Sequence, residues 1–269
     1  GPNPTSGRYQ LSSYFDGFTD IWPAPAPLPS GAVSLAAFNG TNPNGVWSLY
    51  IVDHAGADFG TLAGWSITIV TAVRFSSNAA NSIPDSGTAA PYPSTITVSG
   101  LGNQVISKAT VTLRGFTHTF PDDIGVLLVG PRGQSATLMH RVGGVGPGVS
   151  SADPTFDYHV PAALTTSTPA VSGTYRPSQD FPTFAGFTAP APPTPYGAGL
   201  GNLTGTSPEG TWSLYVQDFA TGDSGSISGW DLTLTVMPPE QRSNPATITI
   251  PASGTQGAAT PYPSDIIVG

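Results

Sequence analysis

Aspartates are the residues of this chain with the clearest chemical potential. Asp53 and Asp58 recur as Asp218 and Asp223, five apart across a glycine-containing turn between two strand-like runs. Asp122 and Asp123 lie in a loop before an alternating apolar run, and Asp153 and Asp157 lie in another. Loop carboxylates and backbone carbonyls are the hard oxygens from which calcium takes about six to eight ligands. The expectation is a calcium cofactor held by Asp122, Asp123, Asp153, Asp157, Asp218 and Asp223. Against it stands a plainer reading, that Asp favours turns because its side chain bonds the local backbone.

Other chemistry is harder to assemble. Gly205-Thr206-Ser207 mimics the nucleophile tripeptide of subtilisin-like proteases, but neither an Asp-Thr-Gly nor a His-Gly-Thr motif accompanies it. A triad needs its base and its orienting acid. The two glutamates, Glu209 and Glu240, sit in Pro-flanked loop contexts unsuited to a paired-carboxylate hydrolase. His54, His118, His140 and His159 are scattered, with no spacing that would ligate zinc, and cysteine is absent. The chain is therefore expected not to be an enzyme, with no catalytic residues and no small-molecule substrate. The tryptophans pair with Gly and alternating aliphatics, which favours core packing over a carbohydrate platform. Arg114 and Arg141 fit either a salt bridge within the sandwich or its surface.

The elements that must position these groups are strands. Of 269 residues, 33 are Gly and 29 are Pro, and only 9% are charged, with a single lysine, Lys108. Such a chain cannot supply many amphipathic helices. Trp47, Leu49 and Ile51 alternate with Ser48, Tyr50 and Val52; Ala109, Val111 and Leu113 alternate with Thr110, Thr112 and Arg114. This period of two, punctuated by Gly, Pro, Asn and Asp, predicts an all-β antiparallel sandwich. Trp22 to Pro29 and Phe181 to Pro195 read as Pro-rich, extended surface loops. A net charge of −8 argues against nucleic acid and anionic membrane surfaces as partners. The longest aliphatic run, Val126-Leu127-Leu128-Val129, is too short to span a bilayer. The opening Gly1-Pro2-Asn3-Pro4 reads as that of a mature or cut piece.

A repeat organises the chain. Asn42–Val70 returns as Ser207–Thr235 with 13 of 29 positions identical, including Trp47 and Trp65 against Trp212 and Trp230. Gly87–Ser94 returns as Gly257–Ser264 with six of eight identical. The phase divides the chain into residues 1–72, the later half of a unit; 73–238, a complete unit; and 239–269, the opening strands of another.

The pattern Pro-x-Gly-x-Trp-x-Leu, then Asp, then Gly-Trp and an alternating strand, resembles the closing half of the P-domain of proprotein convertases. Thr117–Gly144 (THTFPDDIGVLLVGPRGQSATLMHRVGG) resembles its opening half and Ala152–Val160 its middle. Gly40-Thr41-Asn42 and Gly205-Thr206-Ser207 replace the Trp-Gly-Glu usual in that family. The resemblance implies a jelly-roll β-sandwich that follows a subtilisin-like protease or stands as a surface module. It also implies calcium, which some P-domains bind. The expected function is a non-catalytic structural module, extracellular or on the cell surface. It would assemble with copies of itself into a filament or multi-repeat fibre, by head-to-tail strand complementation or covalent repeats. The alternative is an accessory P-domain region of a secreted subtilisin-like protease.

Overall fold

The computed structural model describes residues 22–28, 34–53, 59–146, 148–179, 185–197, 199–237, 242–251 and 257–268. The fold is all-β, and the chain divides into two units, one of residues 1–69 with 240–269 and one of residues 70–239.

Among the described residues, four short strands run through the head of the chain: β1 (Gly45–Leu49), β2 (Val52–Asp53), β3 (Gly60–Leu62) and β4 (Trp65–Ile67). The second unit opens with β5 (Thr71–Ser77), β6 (Asn81–Ile83), β7 (Gly87–Thr88) and β8 (Ser94–Val98). Its middle holds β9 (Val105–Arg114), β10 (Phe116–His118), β11 (Ile124–Val129), β12 (Ser135–His140), β13 (Val149–Ala152) and β14 (Pro154–Asp157). It continues with β15 (Gly173–Tyr175) and β16 (Ser178–Gln179), and closes with β17 (Gly210–Asp218), β18 (Gly225–Ile227) and β19 (Gly229–Met237). The tail adds β20 (Arg242–Asn244), β21 (Ile248–Ile250), β22 (Gly257–Ala258) and β23 (Ser264–Val268).

In the 70–239 unit a sheet of order β15-β14-β9-β19-β5 faces one of order β16-β12-β11-β17-β7, with β8 also on β17. A smaller sheet, β13-β10-β18-β6, completes the unit. Pairing is antiparallel except for β12 with β16 and β14 with β15. The period-two pattern sets the core: Trp230, Leu232, Leu234 and Val236 of β19 are fully buried, as are Trp212 and Leu214 of β17. At about 25 cal/mol per Å² of apolar surface, each such tryptophan contributes several kcal/mol. The alternation of β9 breaks at Ser107, where the register against β19 shifts between Thr235 and Val236. This bulge puts Ile106 on the same inward side as Ala109, Val111 and Leu113.

Strand β11 is apolar on both faces. Ile124, Val126 and Leu128 enter the main core, while Leu127 joins Tyr215 and Phe187 in a second cluster on the opposite side of the sheet. Phe187 comes from the stretch read as a Pro-rich surface loop. The described part of that stretch does run over the surface, with Phe187 as the exception: the apolar outer face of β11 and β17 draws that side chain down to 7% exposure. The loop is pinned there by polar contacts: Thr188 N–H donates to Gln217 Oε1 at 2.9 Å, and Tyr92 Oη donates to Thr188 O at 2.8 Å.

The other unit is built from both ends of the chain. β1 pairs β23, β2 pairs β22, β3 pairs β21 and β4 pairs β20, all antiparallel. The head–tail pairing expected between copies thus forms within one chain. Among the described residues each head strand has a tail strand on one side and none on the other. In the 70–239 unit the matching strands β17, β18 and β19 are paired on that second side by β11, β10 and β9. The consequence is visible in burial: Trp47, Leu49, Trp65 and Ile67 are half-buried where Trp212, Leu214, Trp230 and Leu232 are fully buried.

Candidate functional site

Three turns of the 70–239 unit bring Asp122, Asp123, Asp218 and Asp223 together. β17 ends in Asp218, β10 ends in His118, and a 3₁₀ turn at Pro121–Asp123 leads into β11. Phe120 N–H donates to His118 Nδ1 at 3.1 Å, so the imidazole carries its proton on Nε2 and donates it to Asp218 Oδ2 at 3.1 Å. Asp218 Oδ1 accepts from Ala220 N–H at 2.9 Å. Both side chains of the His–Asp pair are fully buried. Asp123 ties the same turns through its backbone, its carbonyl accepting from Phe219 N–H at 2.9 Å. Asp223 Oδ1 accepts from Thr119 Oγ1 at 2.7 Å, and Asp85 Oδ1 accepts from Asp223 N–H at 3.1 Å.

The electrostatics follow from this crowding. Burial, then the Asp218 charge, raises the Asp123 carboxyl above the usual range; Arg141 opposes, while Asp223 and Asp122 add to the rise. Burial also raises Asp218, against the Ala220 N–H and His118, with Asp223 adding to the rise. Burial, and then neighbouring Arg141, lowers His140 to about 4.

The six aspartates of the expected calcium set do not form one group. Asp122, Asp123, Asp218 and Asp223 share the crowded turns. Asp157, at the end of β14, bonds Lys108 Nζ at 2.7 Å and accepts from His159 N–H at 3.0 Å. Burial would raise its carboxyl, but the Lys108 and His159 hydrogen bonds outweigh that and hold it below the usual range. Asp153 Oδ1 accepts from Gly115 N–H at 2.7 Å. Among the described residues no three His, Asp or Glu side chains are arranged to hold a metal ion. Asp218 and Asp223 serve internal donors as they stand. Asp53 pairs Gly257 through β2, while Asp58 and His54 lie outside the described residues.

Ser207, the mimic of a nucleophile, lies in the turn after a 3₁₀ segment at Leu200–Leu203, its Oγ accepting from Glu209 N–H at 3.4 Å. Trp212 and Trp230 are buried, and their indole N–H groups donate to Pro208 O at 2.9 Å and Ser94 Oγ at 3.0 Å. No sugar-stacking face is available on either. Sequence reasoning missed Asp85 and Asp231. Asp231 is buried on the polar face of β19 and pairs Arg74 of β5 and Arg114 of β9, settling Arg114 as a salt-bridge residue. Asp153, Arg74, Arg114, Asp231, Thr112 and Thr233 line a polar cavity of about 250 Å³. The alternation of β19 placed Asp231 among threonines, which was its one sequence signal.

No protein-family model matches the chain. It is 27% identical over 184 residues to a transglutaminase-activating metalloprotease of Streptomyces mobaraensis, covering 68% of this chain and 18% of that protein. Among solved structures, the serine protease of Aeromonas sobria in complex with its chaperone aligns with TM-score 0.36 and 15% identity, over 63% of this chain and 27% of that one. The same protease in another structure gives TM-score 0.33 and 13% identity, over 62% and 27%. The chain spans well under a third of the length of each. Among the described residues no helix is long and apolar enough to cross a membrane.

Proposed function

We propose that this chain is a non-catalytic, extracellular β-sandwich region carried by a longer protease as an accessory module. The observation that carries this reading is the similarity of 68% of the chain to a segment making up 18% of a metalloprotease. The P-domain resemblance supports the same placement beside a protease domain. The side chains agree with a structural role: Ser207, His118 and Asp218 each spend their polar atoms on the fold. Two measurements test it. The isolated chain should not cleave casein, and deleting residues 70–239 from the longer protein should lower the melting temperature of its protease domain. Cleavage by the isolated chain, or a protease domain indifferent to the deletion, would overturn the reading.

A second reading, an extracellular fibre of such units, is favoured by one specific observation. The closing strands at the head and the opening strands at the tail pair with one another strand by strand. Linked end to end, such units would form a fibre, covalently in a longer repeat array or through contacts between chains.

A further inference from the structure

The two units close in the same register although their covalent order is reversed. In the 70–239 unit the opening strand β8 precedes the closing strand β17, and Trp212 pairs Ile96 while Leu214 pairs Ser94. In the other unit the closing strand β1 comes first, and Trp47 pairs Ile266 while Leu49 pairs Ser264. The correspondence continues along the seam: Trp230 pairs Ser77 and Trp65 pairs Asn244; Asp218 pairs Gly87 and Asp53 pairs Gly257. The anchoring bonds repeat as well. Trp230 donates to Ser94 Oγ and Trp65 to Ser264 Oγ, both at 3.0 Å; Tyr92 meets Tyr215 edge-on at 5.0 Å and Tyr262 meets Tyr50 at 5.1 Å.

Recognition between opening and closing strands therefore does not depend on which comes first in the chain. We propose that the tail strands β20–β23 are an exchangeable donor, and that the tail of one copy seats on the head strands β1–β4 of a second copy in the register seen here. This rests on the second reading above and names its contact. The tail is organised as a donor: Asn244 Nδ2 donates to Ser264 Oγ at 3.0 Å and to Asp265 O at 2.9 Å, joining β20 to β23. The acceptor contributes side chains that this donor engages, the Trp65 indole and Ser48, whose hydroxyl donates to Asp265 Oδ1 at 2.6 Å across 217 positions of sequence. The second copy is the occupant because it carries the same Ser264, Asn244 and Tyr262 in the same order. Closure within one chain and exchange between chains make the same bonds, so concentration decides between them. Exchange without closure propagates head to tail.

The chain has no cysteine, which permits a clean test. Val46 and Ile267 are direct partners in β1 and β23, and they are 61% and 74% exposed. Antiparallel partners lie about 4.5–5.5 Å apart at Cα, within the disulfide range of about 4.4–6.8 Å. The Val46→Cys/Ile267→Cys chain should close an internal disulfide in a glutathione redox buffer at low concentration. The two single variants, one carrying a mass tag, should form a mixed disulfide dimer whose yield rises with protein concentration. Ser48→Cys mixed with Ile267→Cys, out of register, should give far less. Internal closure together with a mixed dimer no more abundant than the out-of-register control would overturn exchange between copies, while leaving a covalent repeat fibre standing. Failure of the double variant to close would remove the register itself, and with it both this proposal and the second reading.

Discussion

The indole of Trp65 donates its N–H to the hydroxyl of Ser264 at 3.0 Å, across 199 positions of sequence. Head and tail of the chain are thereby pinned at one atom pair. Asn244 Nδ2 donates to the same oxygen. Ser264→Ala removes the acceptor for both donors, and a lost buried partner costs about 1–3 kcal/mol. Trp65 is only half-buried, so the lower end of that range is expected. Amide hydrogen exchange should speed up in β1 and β23 while β8 and β17 stay protected. Unchanged exchange at the seam would count against the bond.

Trp47 and Trp212 occupy matching positions with unequal cover. Trp212 is fully buried and Trp47 is half-buried. Trp212→Ala should cost about 3–5 kcal/mol. Trp47→Ala should cost clearly less, because much of its ring already meets water. Denaturant titrations of the two variants decide it; equal losses would mean that the open side of β1 is covered in solution.

Asp123 and Asp157 should tilt stability with pH in opposite directions. Asp123 holds its proton more tightly folded than unfolded, so its contribution is full below the unfolded value and is lost as pH rises through the folded one. Asp123→Asn should therefore be more stable than the parent at neutral pH, the gap closing in acid. Asp157 is lowered, so its contribution is present above the unfolded value and is lost as pH falls through the folded one. Asp157→Asn should lose stability at neutral pH and little in acid. Melting curves between acid and neutral pH check both signs.

Calcium should leave melting unchanged. The four aspartates at the crowded turns are close enough to repel, but among the described residues no three acidic or histidine groups converge as ligands. A melting temperature in excess chelator equal to that in added calcium is expected. A rise with calcium that Asp123→Asn and Asp223→Asn abolish would show that the turns rearrange around the ion.

Much of the fold was legible because it rests on local alternation. The runs ending in Trp212-Ser-Leu214 and Trp230-Asp-Leu232 declare their inward faces without knowledge of any partner. The Ser107 bulge was not legible, since only the facing strand shows that one residue is extra. The Pro-rich stretch was legible as a surface loop, but its docking through Phe187 was not, because the face that receives Phe187 is the outer side of β11; Leu127 and Val129 beside Val126 and Leu128 announced only that this strand is apolar on both sides. The candidate site was partly legible. Asp218 and Asp223 stand out by recurring in the repeat, but the partner that engages Asp218, His118, is 100 positions away and follows from topology alone. Head–tail complementarity was readable as a missing half; that the chain could satisfy it by itself depended on the strand order in space.

Asp231 gives the sharpest test of how the five-stranded sheet is held. It lies at 4% exposure on the polar face of β19, between Arg74 on β5 and Arg114 on β9. One carboxylate thus joins three neighbouring strands. The cover is uneven: the Arg74 side chain is 60% exposed and the Arg114 side chain 31%. Arg114 also donates to Ser77 O at 2.8 Å, so it keeps a partner when the carboxylate is removed. Removing one member of a fully buried pair costs about 3–5 kcal/mol, because the other is left as an uncompensated charge. Here both arginines reach water, and solvent screening discounts that figure. Asp231→Ala should cost about 1–2 kcal/mol, near the range for a hydrogen bond to a charged group. Arg74→Ala should cost less, since it gives up an exposed partner and leaves Arg114 in place. In the double-mutant cycle of Asp231→Ala with Arg74→Ala, the coupling energy should shrink as salt rises, while the coupling of Asp231 to Arg114 should shrink less. Equal salt sensitivity of the two couplings would show that Asp231 is better solvated than its burial implies, and that strand pairing alone joins β5, β9 and β19.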